Sequence, residues 1–335
     1  MFIFLLILFV CILLPSCARA DEAPAAHQRR SLQSLHDAFS SAANSQYAYS
    51  IAHRLATDLH LHNNATYGGR QAGSDAEHAA ADYLADEMRR IGLSDVETAA
   101  AKCDKWQFNG ASFTVNGTEY PVYTYATAST VPEGITAPIV YVGRGTMYDY
   151  EGVDVKGKIV LVDIDQRADW WITYPMLEAE HQGAAAILAA NVGGFGQVAD
   201  DALNSQDICG PTSIPTCSIG VRASREIRAQ LPHGTVLGTL KVDNTVEIGK
   251  GTTYNVTGRI RGKSSEFQIL LGGHYDTHFW GFQDDCCAVG LVLAAAKAML
   301  DIGFEPENDI VFCLHGAEER EIGRASLNSS HQKIS

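Results

Sequence analysis

Two apolar runs near the carboxyl end of the chain each stop at chemically active side chains. The first, from Ile269 to Gly273, delivers His274 and then Asp276, and the second ends shortly before Glu318 and Glu319. An acidic pair and a segment rich in Ala and Leu lie between them. Imidazole and carboxylate are zinc ligands, and sites in α/β proteins form where strands end. The sequence therefore predicts an α/β fold with a metal site at the edge of a sheet.

Helical and strand periodicity organises the rest of the chain. Ser74 is a good N-cap for a helix that runs through Arg90 and is closed by Gly92. The other predicted elements are helical structure within 31–62, strands from 96 and at 137–142, 155–163, 183–191, 253–260, 267–273 and 309–314, and helices at 177–182, 223–231 and 285–302.

The composition is that of an acidic globular protein. Hydrophobic residues make up 46% of the 335, and 25 Lys+Arg against 39 Asp+Glu give a net charge of −14. The length allows two domains. The sequence has no basic stripe or aromatic-interleaved basic patch, which argues against a nucleic-acid partner.

Residues 1–20 have the pattern of a signal peptide. An apolar run from 2 to 14 precedes a cleavage signal at Ala18-Arg19-Ala20, and the run is too short to span a bilayer. We expect a secreted chain that starts near Asp21 and has no integral membrane segment. The alternative is a lipoprotein signal at residues 14–17. The sequons, which fit a secretory glycoprotein, start at Asn64, Asn116, Asn255 and Asn328.

The cysteines form no recognisable metal or disulfide framework. Six remain after the signal segment, without the spacing of a zinc finger. Cys209 and Cys217 flank a Gly-Pro loop and are candidates for pairing, whereas Cys313 lies in an apolar run and is expected to be buried.

Several short motifs stand in a characteristic order: Gly69-Arg70, Gly73-Ser74, His274-Tyr275-Asp276-Thr277, Asp284-Asp285 and Gly316-Ala317-Glu318-Glu319. Together they resemble the co-catalytic di-zinc exopeptidase family of bacterial leucyl aminopeptidases and plasma glutamate carboxypeptidase. Residues 120–247 resemble the protease-associated (PA) domain inserted in many of those enzymes. The resemblance implies a phosphorylase/hydrolase-like, three-layer α/β/α peptidase domain in two parts, 21–119 and 248–335, around a β-rich PA domain.

His274 and Asp276 are two positions apart, so on an extended strand end they point to one side. Asp276 can then accept the second ring N–H of a metal-bound His274, which fixes the tautomer. A surface pair is the alternative. The aromatic loop 278–282 either lines a pocket or packs locally.

The remaining roles are implied by the resemblance. Asp284 bridges two zinc ions, since a small residue, Ala288, follows four positions later; Asp285 is the alternative, and capping of the next helix is the non-catalytic role for the pair. Glu319 is a zinc ligand and Glu318 is the general base. A solvated charged run is the alternative for these two residues.

In the resembling family, a further acidic ligand and a late His lie well downstream of the double Glu, where this sequence has only residues 320–335. A C-terminally truncated product, a splice form or an incomplete gene model is therefore expected. The predicted function is a secreted zinc exopeptidase, an aminopeptidase that hydrolyses peptides with a metal-bridging water, with two zinc ions in a full-length homologue. The alternatives are a carboxypeptidase or dipeptidase, and an inactive form whose PA domain binds or regulates.

Overall fold

The computed structural model describes residues 22–126, 129–169, 172–194, 199–205 and 213–320. The helices are α1 (Glu22–Ala42), α2 (Ser45–Thr57), α3 (Asp75–Ile91), α4 (Gln166–Asp169), α5 (Thr173–His181), α6 (Val221–Arg228) and α7 (Cys287–Asp301). The strands are β1 (Ser94–Val115), β2 (Thr118–Tyr120), β3 (Val122–Thr124), β4 (Val131–Tyr141), β5 (Ile159–Asp165), β6 (Ala186–Gly193), β7 (Thr216–Ile219), β8 (Leu237–Ile260), β9 (Ser264–His274) and β10 (Asn308–His315). The fold is α/β, as predicted.

Some predicted features lie outside the described residues: the signal peptide, the sequon at Asn328 and Cys209 of the candidate pair. Cys313 is buried, as predicted from its apolar surroundings. Within the described ranges, no helix has the length and apolarity needed to cross a bilayer.

The ends of α3 are those that the sequence predicts. The Oγ of Ser74 accepts the backbone N–H of Glu77 at 3.2 Å, and Gly92 ends the helix with φ of 98°. A left-handed backbone of this kind favours glycine because it lacks a Cβ atom. Local chemistry thus defines both boundaries of this helix.

A long antiparallel ribbon joins two regions of the fold. Strand β1 pairs with β8 from Ser94 opposite Arg259 to Val115 opposite Gly238. One end of β8 also pairs with β10, and the other end pairs with β4. The predicted domain boundary at residue 247 therefore falls inside a continuous strand.

The region between the two ribbon strands has its own core. Strands β4, β5, β6 and β7 are parallel neighbours, and β3 pairs antiparallel with β7. The buried residues of β5 and β6 alternate between two apolar clusters, one on each face of this sheet. This pattern explains the nearly continuous apolar runs at 159–165 and 186–193, since both faces of a central parallel strand are covered.

The second region carries β9 and β10, which are parallel neighbours, and helices α2, α3 and α7. These helices share one apolar core with β8 and β10, which includes Leu55, Leu84, Leu293 and Phe312. The predicted strands at 267–273 and 309–314 and the helix at 285–302 correspond to β9, β10 and α7.

Close packing of α2 against α7 depends on Gly290. A Cβ atom built at this position would lie 2.3 Å from the carbonyl oxygen of Ala48 in α2. We expect Gly290→Ala to lower the free energy of unfolding by about 1–3 kcal/mol, the usual cost of overpacking, although alanine is the better helix former. Urea unfolding measures the change.

Leu291 provides the matched control, because it is the next residue of α7 and is 59% exposed. Leu291→Ala should change the free energy of unfolding by no more than about 0.5 kcal/mol. Equal stability of Gly290→Ala and the unchanged protein would contradict the tight α2–α7 contact.

Candidate metal centre

The carboxyl ends of β9 and β10 meet at one edge of the sheet. His274, the last residue of β9, lies in register with His315, the last residue of β10. Glu318 and Glu319 follow β10 in a short 3-10 turn. Because parallel strands end at the same edge, imidazole and carboxylate groups that are distant in sequence become neighbours.

The imidazole of His274 is buried and faces carboxylates through one nitrogen. Its Nε2 lies 3.1 Å from Oδ1 of Asp284 and 3.7 Å from Oε2 of Glu318. Its Nδ1 lies 3.1 Å from the backbone carbonyl oxygen of Asp276. A proton on Nδ1 that is held by this carbonyl leaves Nε2 as the atom available to a metal ion.

The carboxylate of Asp276 is fully buried and holds the turn after β10. Its two oxygens accept the backbone N–H groups of Glu318 and Glu319, each at 3.1 Å. Oδ1 of Asp276 lies 3.5 Å from Nδ1 of His274, whereas the backbone carbonyl oxygen of Asp276 lies closer to the same nitrogen, at 3.1 Å. The sequence predicted only the contact with the imidazole; placement of the two glutamates is an additional role, which joins residues 42 positions apart or more.

The sequence left open whether Asp284 or Asp285 is the bridging ligand, and the two residues make different contacts. The Oδ2 of Asp285 accepts the backbone N–H of His274 at 3.2 Å. The helix predicted at 285–302 begins later than expected, because α7 starts at Cys287 and both aspartates have non-helical backbone angles. The carboxylate of Asp284 faces His274.

The electrostatics of the site are those of a carboxylate cluster with one imidazole. Burial disfavours the charged ring, but hydrogen bonds to Asp276 and Asp284 outweigh it and raise the pKa of His274 to about 11. Burial raises the pKa of the Glu318 carboxyl, and burial together with the nearby Asp276 raises the pKa of Glu319 to about 8. A divalent cation would favour the ionised form of these acids.

Three of the predicted residues offer a set of metal-ligand atoms. One atom each from His274, Asp284 and Glu319 all lie within 4.8 Å of one another. A nitrogen and two carboxylate oxygens fit zinc. Glu318 stands beside this set with its side chain 59% exposed. The structure thus brings the five predicted site residues together.

Two buried charged residues, Arg70 and Glu77, form hydrogen bonds with Tyr275, the residue after His274. Arg70 donates to the carbonyl oxygens of Tyr275 and Leu55 and, at 2.8 Å, to Sγ of Cys286. Glu77 accepts a hydrogen bond from the hydroxyl of Tyr275. Arg70 therefore holds the backbone next to His274 and contacts the segment after the two aspartates, whereas Glu77 holds the side chain of Tyr275. The sequence motif marked Arg70 without assigning it a role.

The sequence analysis assigned no role to His278. Its ring is 4% exposed, and its Nε2 lies 3.6 Å from Oε2 of Glu319. The next residue, Phe279, packs against Tyr123 with ring centroids 4.8 Å apart, which favours packing as the role of this aromatic side chain. A second imidazole four positions after the first was the available signal for His278.

Models of two known families match parts of this chain. Residues 255–334 match the model of Peptidase family M28, and residues 135–227 match that of the PA domain. Probable leucine aminopeptidase 2 of Aspergillus fumigatus is 28% identical over 259 residues, which are 76% of this chain and 48% of that protein. Human carboxypeptidase Q is 24% identical over 275 residues, 76% of this chain and 56% of that protein. The chain spans about half the length of these relatives.

Solved structures show the same fold. A Peptidase M28 precursor from Shewanella amazonensis superposes with a TM-score of 0.76 at 23% identity, over 90% of this chain and 71% of that chain. A zinc aminopeptidase from Bacillus subtilis superposes with a TM-score of 0.63 at 23% identity, over 83% of this chain and 62% of that chain.

Proposed function

We propose that this chain, in which residues 255–334 match peptidase family M28 and residues 135–227 match the PA domain, acts as a secreted zinc aminopeptidase that removes N-terminal residues from peptides. The observation that carries the proposal is the convergence of His274, Asp284 and Glu319, with Glu318 beside them. Secretion rests on the signal-peptide pattern of residues 1–20.

The site supports hydrolysis through a base and a positioned ligand set. Zinc, when bound, supplies a Lewis acid that polarises the scissile carbonyl and lowers the pKa of water. Glu318 takes the proton of the attacking water and delivers it to the leaving amine. Asp276 fixes this base, because it holds the backbone N–H of Glu318 at 3.1 Å.

We propose that two ions occupy the centre and that Asp284 joins them. Its carboxylate is 81% exposed and lies 3.1 Å from Nε2 of His274, so it would help to hold a metal ion together with that imidazole. Two cations held there would stabilise both the attacking and the leaving atoms of the hydrolysis. Glu319 supplies a carboxylate for the second position.

Removal of metal should abolish hydrolysis. We expect the full chain to hydrolyse leucine p-nitroanilide, to lose this activity after chelation, and to regain it when zinc is added, because the Lewis acid is then restored. Release of nitroaniline and zinc content measured together test this expectation.

An N-acetylated substrate is the matched control, since an aminopeptidase requires a free amino terminus. Hydrolysis only of peptides with a free carboxyl terminus would favour a carboxypeptidase. Absence of both zinc and turnover would contradict the proposal and favour the binding role of the PA domain.

A further inference from the structure

A two-residue turn at the tip of the β1–β2 hairpin carries a sequon. Asn116 and Gly117 form this turn, because Val115 of β1 pairs with Thr118 of β2. Both turn residues have positive φ, 48° and 81°, which is the backbone of the tight hairpin turns that Asn-Gly sequences favour. The three sequon residues, 116–118, are exposed, whereas Val115 and Tyr120 are buried in the apolar core of the PA region, which lies between the two ribbon strands. The sequon is therefore held in one conformation at the protein surface.

The sequon at Asn255 has the opposite surroundings. Asn255 is 5% exposed within β8, and its Oδ1 accepts the backbone N–H of Gly316 at 3.3 Å. Gly316 belongs to the segment between β10 and Glu318, so a sugar on this amide would have to displace close-packed structure next to the metal centre. Asn64 lies between the two cases, since it is half-buried and its Oδ1 accepts two backbone N–H groups of its own turn.

A groove beside Asn116 leaves room for a sugar. It has a volume of about 380 Å³, and Gln230 and His233 are among the residues that line it. The Nε2 of Gln230 donates to the carbonyl oxygen of Glu226 at 3.2 Å, and the Oε1 of Gln230 accepts one N–H of the Asn116 amide at 2.8 Å. A primary amide has two N–H hydrogens, so the second hydrogen of Asn116 can be replaced by a sugar while the contact with Gln230 is kept.

Asn116 also lies far along the ribbon from the metal centre. Cys103 of β1 packs in one cluster with Ala317, the residue before Glu318. From Cys103 to Asn116 the chain follows β1 for roughly 40 Å of extended strand. A glycan on Asn116 therefore leaves the metal centre open to substrate.

We propose that Asn116 carries an N-linked glycan and that Asn255 does not. This inference rests on the proposed secretion of the chain, which brings the sequon to the glycosylating enzymes of the secretory route. The donor is a lipid-linked oligosaccharide diphosphate. The amide nitrogen of Asn116 forms a bond to the anomeric carbon of the sugar and loses one proton, and the bond from that carbon to the diphosphate oxygen breaks. The lipid diphosphate is the leaving group.

Peptide mapping of the full chain secreted by cultured eukaryotic cells tests the proposal. Enzymatic removal of N-glycans in heavy-oxygen water converts each glycosylated asparagine to a labelled aspartate, and mass spectrometry should find this label at Asn116 and not at Asn255. Thr118→Ala removes the hydroxyl that the sequon requires and should cost the chain one glycan, which Thr118→Ser should restore. Thr257→Ala makes the same change in the Asn255 sequon and is the matched control, so its glycan content should equal that of the unchanged protein.

An unmodified Asn116 or a glycan on Asn255 in the secreted chain would overturn this inference. Either result leaves the proposed peptidase intact, because hydrolysis of leucine p-nitroanilide and zinc content are measured on the same samples. Thr118→Ala should hydrolyse this substrate as the unchanged protein does, which also shows that the variant folds. Absence of hydrolysis by a chain glycosylated at Asn116 would overturn the peptidase proposal alone, and retention of the chain inside the cells would overturn both this inference and the proposed secretion.

Discussion

Glu318→Gln is expected to lower kcat for aminoacyl-anilide hydrolysis by about 10²–10⁴-fold, the usual contribution of a general base. The amide has the shape of the carboxylate but cannot take a proton from water. Zinc content should stay unchanged, because Glu318 lies outside the closest group of ligand atoms formed by His274, Asp284 and Glu319. Steady-state kinetics and metal analysis of the same samples test both parts.

Glu266→Gln is the control, because it makes the same chemical change at an exposed residue. Glu266 lies near the start of β9, at the opposite end of the strand from His274. This variant should keep full activity. A Glu318→Gln protein with full kcat would contradict the role of base, and loss of zinc in proportion to activity would show that Glu318 is a ligand.

Asp284→Asn and Asp285→Asn should differ sharply in zinc binding. Asp284 faces Nε2 of His274 at 3.1 Å, so loss of its charge should weaken zinc binding by more than about 100-fold, beyond the usual cost of losing a ligand's orienting partner. Asp285 accepts the backbone N–H of His274, which an amide oxygen also does. Its substitution should cost no more than about 10-fold.

Zinc titration of the two metal-free variants compares them directly. Each change removes one negative charge from adjacent positions, so long-range electrostatics nearly cancel in the comparison. A larger loss in Asp285→Asn would reassign the bridging ligand to Asp285, and equal losses would contradict the assignment to Asp284 alone.

Features set by local chemistry were predictable from the sequence. Ser74 and Gly92 define the ends of α3 through bonds and backbone angles within a few residues. The apolar runs of β9 and β10 and the polar groups that follow them predicted the metal site, because such runs become buried strands. The motifs then supplied a role for each carboxylate.

Features set by distant partners were not predictable in this way. The sequence indicated a strand from residue 253, whereas β8 begins at Leu237 because it pairs with β1 along nearly its whole length. The contact of His278 with Ser205 joins residues that are 73 positions apart. The double contact of Asp276 with the turn after β10 likewise requires the folded sheet.

The β1–β8 ribbon determines how the PA region is attached. Domains are usually joined by exposed, flexible linkers across which few contacts run. Here the attachment is a pair of continuous strands, whose hydrogen-bonded register has shifts only between Ser94 and Glu97, Cys103 and Lys105, and Phe108 and Gly110. Swinging of the PA region about a loose hinge would break this ladder. Its relative movement is thus confined to bending and twisting of the ribbon, and the packing of Phe279 against Tyr123 adds a second contact between the two regions.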